Sequence, residues 1–170
     1  MSIALRAAVN IVSPLEPKRK TLGDYYMGEV QDRTNQSSSL PACISVLIVD
    51  DVPETRSNIR KLLNDPRIRI VGEAGDGNEA LRQFHKLLPN VVIMNINMPV
   101  RNGIEVTELM CLLEPDANII ILSVQSDQFY VRRTILAGAR DYFAKPPDPY
   151  ELLKSVIRLG SKPGEDSSST

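Results

Sequence analysis

The 170-residue chain has no tryptophan, one histidine, two cysteines and no long apolar run. Two cysteines, Cys43 and Cys111, are too few for a disulfide framework or a cysteine-rich metal site, so they predict a reducing, cytoplasmic setting. The single histidine, His85, cannot build a histidine metal site alone. No apolar run approaches the roughly 20 residues that a membrane-spanning helix needs. This composition argues against membrane proteins and disulfide-rich secreted domains.

An excess of charge of one sign is also lacking. The chain has 20 lysines and arginines against 21 aspartates and glutamates, which gives a formal net charge of −1. Such a balance provides no broad electrostatic attraction to nucleic acid or to an anionic membrane surface. We therefore expect neither nucleic acid nor a membrane among its partners. Apolar residues make up 42% of the chain, which is typical of a globular protein.

The two ends of the chain lack hydrophobic periodicity. Residues 1–43 contain a basic run at 18–20 and a polar tract at 35–39. Such a stretch cannot bury enough apolar surface to offset its ordering entropy, so we predict a flexible N-terminal extension. Its segment 22–27 could be a docking patch, although a plain tail is the preferred interpretation. Residues 160–170 are polar and predict a disordered C-terminal tail.

Between these ends, short apolar runs rich in β-branched residues recur five times. They lie at residues 44–49, 67–71, 90–94, 118–122 and 141–144. Runs that are apolar on both faces are typical of parallel strands that are covered by helices on both sides. The sequence therefore predicts a buried parallel sheet.

Helical patterns fill the intervals between these runs. They cover residues 53–63, 78–88, 104–113, 126–137 and 149–159. Ser126 is a suitable N-cap for the fourth helix, and Gly138 is a suitable residue just beyond its end. Five alternations of strand and helix predict an α/β fold over residues 44–159. The expected form is a flavodoxin-like, doubly wound (βα)5 sandwich with parallel strand order 2-1-3-4-5.

Polar side chains stand at the ends of four predicted strands. Asp50 and Asp51 follow the first strand, Asn95 the third, Ser123 the fourth and Lys145 the fifth. In an open parallel sheet, ligands bind outside the carboxyl ends of the strands. We therefore expect these five side chains to form one site.

Four blocks of sequence resemble the receiver (CheY-like) family of bacterial response regulators. They are residues 46–51, residues 91–99 with Asn102-Gly103, residues 121–123 and residues 137–146. The blocks agree with the family pattern in their order and spacing, and the resemblance covers the region from about residue 44 to 159. It implies a module of two-component signalling that is not an enzyme and acts through other proteins.

The resemblance implies a role for each matched strand end. Asp50, Asp51 and the backbone carbonyl of Asn97 would hold a Mg²⁺ ion, which prefers oxygen ligands. Ser123 would offer its hydroxyl to a phosphoryl oxygen, and Lys145 would pair with the phosphoryl charge. Together these groups would form a metal site and a phosphate pocket.

The resemblance also implies a switch residue and an output surface. Tyr142, three residues before Lys145, lies where the family has its rotating aromatic side chain. A protein partner or a second copy would dock on the fourth helix, the fifth strand and the fifth helix, and a histidine kinase would act upstream. The side chains presented there would be Phe129, Tyr130, Arg132, Arg133, Tyr142 and Tyr150.

Position 95 departs from the family pattern, which has an aspartate there as the phosphate acceptor. Asn95 has nearly the same shape, but its amide nitrogen is not a useful nucleophile and its oxygen is neutral. Stable phosphorylation is therefore not expected. The Mg²⁺ affinity should also fall, because one of three converging carboxylates is neutralised.

Two accounts of Asn95 stay open. In the first, which we prefer, the chain is a natural pseudo-receiver that signals through phosphorylation-independent protein contacts. In the second, it is an ordinary phosphorylatable receiver whose acceptor aspartate was exchanged for asparagine by mutagenesis. The second account stays open because Asp50, Asp51, Ser123 and Lys145 are all retained.

A weaker resemblance links residues 51–56, 122–125 and 130–133 to receivers fused to ParA/MinD-type ATPases of pilus assembly. The chain has no GxxxxGKS/T phosphate loop, so we expect a separated or truncated relative. Only a short polar tail follows the last predicted helix, so a helix-turn-helix output domain is not expected. An aspartate nucleophile of the haloacid dehalogenase type is excluded, because Val52 and Pro53 stand where that chemistry needs an acid.

Overall fold

The structure, a computed structural model, describes residues 43–161. The predicted N-terminal extension (residues 1–43) and C-terminal tail (residues 160–170) lie outside the described residues except for Cys43, Gly160 and Ser161, so both stay predictions, although Gly160 belongs to the last helix and not to a tail. No helix between residues 43 and 161 is long and apolar enough to cross a membrane.

Five strands form one sheet. They are β1 (Ile44–Val49), β2 (Ile68–Ala74), β3 (Val91–Met94), β4 (Ile119–Ser123) and β5 (Asp141–Ala144). Their order across the sheet is β2-β1-β3-β4-β5, and every neighbouring pair runs parallel. This is the order predicted from the sequence, and it confirms the flavodoxin-like fold class.

Five helices connect the strands and cover both faces of the sheet. They are α1 (Pro53–Leu62), α2 (Gly77–Leu87), α3 (Gly103–Leu113), α4 (Gln128–Leu136) and α5 (Pro149–Gly160). The alternating side chains of β1 show why both faces are covered. Val46 and Ile48 belong to a core cluster that includes residues of α1 and α5, whereas Leu47 and Val49 belong to one that includes α2 and α3. Each face of the strand is thus removed from water, which is the main stabilising effect here.

Two local features differ from the sequence prediction. The N-cap of α4 is Asp127 and not Ser126, because the side chain of Asp127 accepts a hydrogen bond from the backbone N–H of Phe129 at 2.7 Å. A carboxylate at this position also suits the positive end of the helix dipole. In addition, the pairing of β2 with β1 skips Val71, which leaves a β-bulge in β2. Gly138 has a φ of +108° just beyond α4, as predicted.

The turn between β3 and α3 is closely packed. The backbone N–H of Gly103 donates to the carbonyl of Ile96 at 2.8 Å. Asn102 caps α3, and its side chain accepts a hydrogen bond from the N–H of Ile104 at 3.0 Å. The first turn of α3 therefore lies against the backbone that follows β3, which positions Asn95.

Candidate functional site

Four of the five polar side chains that we expected to meet are in pairwise contact at the carboxyl edge of the sheet. Nζ of Lys145 and Oδ2 of Asp50 form an ion pair at 2.5 Å. The side chain of Asn95 donates to the carboxylate of Asp51 at 3.0 Å. Because these residues follow β1, β3 and β5, the parallel sheet is what brings them together.

The side-chain amide of Asn95 joins two loops. Its nitrogen, Nδ2, donates to Oδ1 of Asp51 in the β1–α1 loop at 3.0 Å and to the backbone carbonyl of Asn97 in the β3–α3 loop at 2.8 Å. A carboxylate and a carbonyl can only accept, so the nitrogen end of the amide, with its two hydrogens, is the end that faces them. Asn95 is buried, with 6% of its surface exposed. The two bonds therefore fix the direction of the buried amide, although Asp51 and Asn97 are themselves exposed.

The carboxylate of Asp50 is almost fully buried, with an exposed fraction of 1%. Its Oδ1 accepts from the backbone N–H of Val52 at 3.0 Å, and its Oδ2 is bound by Lys145. A buried carboxylate without such partners would be strongly destabilising. Lys145 is held in turn by a hydrogen bond from its backbone N–H to the carbonyl of Ser123 at 2.8 Å, and the Lys145–Pro146 peptide bond is cis.

Ser123 and Tyr142 meet at the loop between β4 and α4. The hydroxyl of Ser123 is buried and accepts from the backbone N–H of Gln125 at 3.2 Å. The hydroxyl of Tyr142 donates to the carbonyl of the same glutamine. Burial raises the pKa of the Tyr142 hydroxyl, and a hydrogen bond with Ser123 partly offsets that rise. Ser123 and Tyr142 thus contact the backbone of the same residue, Gln125, whereas Lys145 is bound to Asp50.

Arg56 supports the site in a way that the sequence analysis did not identify. Its guanidinium donates to the backbone carbonyl of Asp50 at 2.7 Å and to the carboxylate of Glu73 at 3.0 Å. Arg60 forms a further ion pair with Glu73. These contacts join α1 and β2 to the backbone that carries Asp50. The sequence signal that could have indicated this role is the position of Arg56 in the first turns of α1, close behind the strand end.

Replacing Glu73 with glutamine is expected to lower the free energy of unfolding at neutral pH by about 1 kcal/mol. The side-chain hydrogen bond from Arg60 is the main cause that lowers the pKa of Glu73 from its ordinary value of 4.5, while burial opposes this effect and Arg56 adds to it. The folded-state pKa lies below the unfolded one, so this stabilisation is present above the ordinary pKa and is lost as the pH falls through the folded-state pKa. Urea unfolding over an acid pH series should show the two proteins converging at low pH. A difference that persists there would contradict this account.

The oxygens at this edge are of the kind that Mg²⁺ prefers, namely the carboxylates of Asp50 and Asp51 and the carbonyl of Asn97. The Asn95 amide, however, directs its hydrogens at two of these groups, and Lys145 binds the third. In the part of the chain that the structure describes, no group of three or more Asp, Glu, His or Cys residues could hold a metal ion. In this arrangement the three groups that would hold Mg²⁺ therefore already accept hydrogen bonds from Asn95 and Lys145.

The surface predicted for docking lies on α4, β5 and α5 and is partly exposed. Its exposed side chains are Phe129, Arg132, Arg133 and Tyr150. Tyr130 and Tyr142 are half-buried and pack against the core, so less of each ring is presented than the sequence analysis assumed. β5 is an edge strand, with β4 on one side and no strand beyond it among residues 43–161.

Both the sequence and the structure are similar to known proteins. The profile of the family "Response regulator receiver domain" matches residues 46–157. Protein CcdB of Bacillus subtilis is 37% identical over 114 residues, which cover 67% of this chain and 95% of that protein. Chemotaxis protein CheY of Thermotoga maritima is 34% identical over 114 residues, which cover 67% of this chain and 95% of that protein. A chain in the crystal structure of the CheX–CheY–BeF3–Mg²⁺ complex from Borrelia burgdorferi has a TM-score of 0.65 and 26% identity, over 70% of this chain and 90% of that one.

Proposed function

This chain belongs to the response regulator receiver domain family of two-component signalling, and from that premise we propose that it is a pseudo-receiver. In this proposal it is a cytoplasmic binding module and not an enzyme, and it regulates through protein contacts without being phosphorylated at position 95. Asn95 stands where the family resemblance places the acceptor aspartate. Mg²⁺ would bind weakly at Asp50, Asp51 and the Asn97 carbonyl.

The observation that carries this proposal is the hydrogen bonding of the Asn95 side-chain amide. Attack on a phosphoryl group requires a strong nucleophile, such as the negatively charged oxygen of a carboxylate. The carboxamide instead has a neutral oxygen and a nitrogen whose two hydrogens are donated to Asp51 and Asn97. Lys145 and Ser123 also have partners inside the protein. The polar groups of the pocket are therefore satisfied without a phosphoryl group.

The proposed docking surface consists of the exposed side chains of α4 and α5 on either side of β5. Phe129 and Tyr150 have exposed fractions of 59% and 68%. The guanidinium of Arg133 lies 5.7 Å from the ring centre of Phe129, and Nζ of Lys154 lies 5.9 Å from that of Tyr150. Aromatic and arginine side chains are the residues that most often anchor protein interfaces. Tyr142 links this surface to the pocket, because its hydroxyl contacts the β4–α4 loop.

Affinity capture with purified protein tests the proposal. The bait is the unmodified chain, a Phe129→Ala/Tyr150→Ala double variant, or a Leu112→Ala control whose side chain is 77% exposed on α3. We expect the unmodified chain to bind the same partner, or a second copy of itself, with and without acetyl phosphate and Mg²⁺. The double variant should bind about tenfold more weakly, and the control should bind normally.

Two results of this capture experiment would contradict the proposal. The first is a partner that binds only after treatment with the phosphodonor. The second is a partner that binds the double variant as well as it binds the unmodified chain. Sedimentation velocity of the same three purified proteins separates self-association from capture of a different protein. In a sample that contains only this chain, self-association alone produces a species heavier than the monomer.

The second account, an ordinary receiver whose aspartate was exchanged, is favoured by one observation. Asp51 still contacts position 95, and Asp50 and Lys145 are still paired with each other at the same edge of the sheet. A histidine kinase would then be the phosphodonor, whereas a pseudo-receiver would use such a kinase only as a docking partner. The codon for residue 95 in the source genome separates the accounts: an asparagine codon supports the pseudo-receiver, and an aspartate codon supports the alternative.

A further inference from the structure

We infer that the side chain of Asn95 takes the place of a divalent cation as the group that holds the two loops of the pocket together. This inference rests on the proposed function, because it takes position 95 to be unphosphorylated. The amide nitrogen bridges Asp51 in one loop and the Asn97 carbonyl in the other, at 3.0 and 2.8 Å. A cation held by the Asp51 carboxylate and the Asn97 carbonyl would lie beside the amide hydrogens that now point at these two groups, and their partial positive charge would repel it. The amide and the cation therefore compete for one position.

The polar groups around this bridge already have partners within the protein. The carboxylate of Asp50 is paired with Lys145, and that of Asp51 accepts a hydrogen bond from Asn95. Among residues 43–161, no buried side-chain nitrogen or oxygen lacks a hydrogen-bond partner. An aspartate at position 95 would replace the N–H donor with a second carboxylate next to Asp51, and like charges at that distance repel. The aspartate form would thus need a cation that the asparagine form does not need.

The bridge extends from a fixed stretch of backbone. The N–H of Asn95 donates to the carbonyl of Val49 at 2.8 Å, which continues the pairing of β3 with β1 beyond the end of β3. The N–H of Gly103 donates to the carbonyl of the next residue, Ile96. A cation placed between Oδ1 of Asp51 and the Asn97 carbonyl would therefore have to displace the amide from both hydrogen bonds, because the backbone that carries Asn95 is held in place. We conclude that the pocket keeps its form without Mg²⁺ and that Mg²⁺ adds little to its stability.

Thermal unfolding with EDTA and with increasing Mg²⁺ tests this inference on three proteins: the unmodified chain, Asn95→Asp and Asn95→Ala. The midpoint of the unmodified chain should be the same in EDTA and in millimolar Mg²⁺. The midpoint of Asn95→Asp should be lower in EDTA and should rise with Mg²⁺ until it saturates, because a ligand that binds only the folded state stabilises it. Asn95→Ala, which has neither the amide nor the carboxylate, should be less stable than the unmodified chain in EDTA.

The expected difference in affinity is large enough to measure. The Mg²⁺ dissociation constant of the unmodified chain should exceed that of Asn95→Asp roughly tenfold, since affinity follows the number of charged ligands. Equal Mg²⁺ stabilisation of both proteins would overturn the inference. An Asn95→Ala variant as stable in EDTA as the unmodified chain would overturn it too, because the hydrogen bonds of Asn95 would then contribute nothing to the stability of the fold.

Nuclear magnetic resonance of the unmodified chain gives a readout that needs no variant to fold. The two side-chain amide protons of Asn95 should exchange slowly with water, and neither they nor the backbone signals of Asp51 should shift when millimolar Mg²⁺ is added. Fast exchange, or a saturable shift at these signals, would contradict the inference. Its failure is distinct from failure of the proposed function, which is decided by partner binding with and without a phosphodonor.

Discussion

Replacing Gly103 with alanine is expected to lower the free energy of unfolding by about 3 kcal/mol. A Cβ at this position would lie 1.9 Å from the backbone oxygen of Asn95, 2.9 Å from its carbonyl carbon and 3.0 Å from Cα of Ile96. All three are backbone atoms, so no side chain can rotate away to make room. The first turn of α3 and the end of β3 would have to move apart. The hydrogen bond between Gly103 and Ile96 would be strained or lost as a result.

Gly75 provides the matched control for this prediction. A Cβ there would meet no atom closer than Nη1 of Arg56, at 3.7 Å, and its backbone does not have a positive φ. The free energy of unfolding of Gly75→Ala should therefore lie within about 1 kcal/mol of that of the unmodified chain. It could be slightly higher, because alanine restricts the conformations of the unfolded state. Urea unfolding of both variants makes the comparison. If Gly103→Ala is as stable as Gly75→Ala, the close approach of α3 to Asn95 is wrong.

The fold could be predicted from the sequence because its strands leave little choice of architecture. The segment Ile44–Val49 is apolar on both faces, and only a sheet with helices on both sides buries it completely. Gly138 was predicted to end α4 because a positive φ is accessible to glycine at little cost, and its φ is +108°. Patterns of this kind depend on local spacing, which the sequence shows directly.

The membership of the site could be predicted, but its internal contacts could not. Strand ends in a parallel sheet indicate which side chains meet, so Asp50 and Lys145 were expected at one edge. Which donor contacts which acceptor depends on the conformation of the loops. Asn95 was therefore understood as a lost nucleophile, and not as a donor to the carbonyl of Asn97. The contact of Arg56 with Asp50 was missed for a related reason, since a long side chain can reach several neighbours.

Some local features had no decisive signal. Ser126 and Asp127 are adjacent and both suit an N-cap, and the choice of Asp127 depends on how the β4–α4 loop approaches the helix. Val71, where the bulge lies, was predicted to be the last residue of the second strand, whereas β2 continues to Ala74. The resemblance to receivers linked to pilus-assembly ATPases stays a prediction, as do the N-terminal extension and the C-terminal tail.

Exchanging Asn95 for aspartate is expected to change the chain from one that takes up no phosphoryl group to one that takes up a single group. The carboxylate would supply the nucleophilic oxygen that the carboxamide lacks. It would also remove the N–H donors that now occupy Asp51 and the Asn97 carbonyl, which leaves those oxygens available to a cation. Lys145, 2.5 Å from Asp50, is close enough to contribute charge to the pocket.

An Asn95→Asp/Lys145→Met double variant, incubated with acetyl phosphate and Mg²⁺ alongside Asn95→Asp, is the control for the pocket. Its acceptor is present but the ammonium group is absent, so we expect it to be labelled more slowly than Asn95→Asp. Equal rates would mean that Lys145 does not act on the phosphoryl group. This outcome would not affect the prediction for the unmodified chain, which depends on position 95 alone.

Intact-protein mass spectrometry after incubation with acetyl phosphate and Mg²⁺ tests the central claim most directly. The claim is that this receiver keeps its pocket assembled while Asn95 prevents phosphorylation. The account predicts an unchanged mass for the unmodified chain and the mass of one added phosphoryl group for Asn95→Asp. A phosphoryl group on the unmodified chain that maps to the pocket would contradict it.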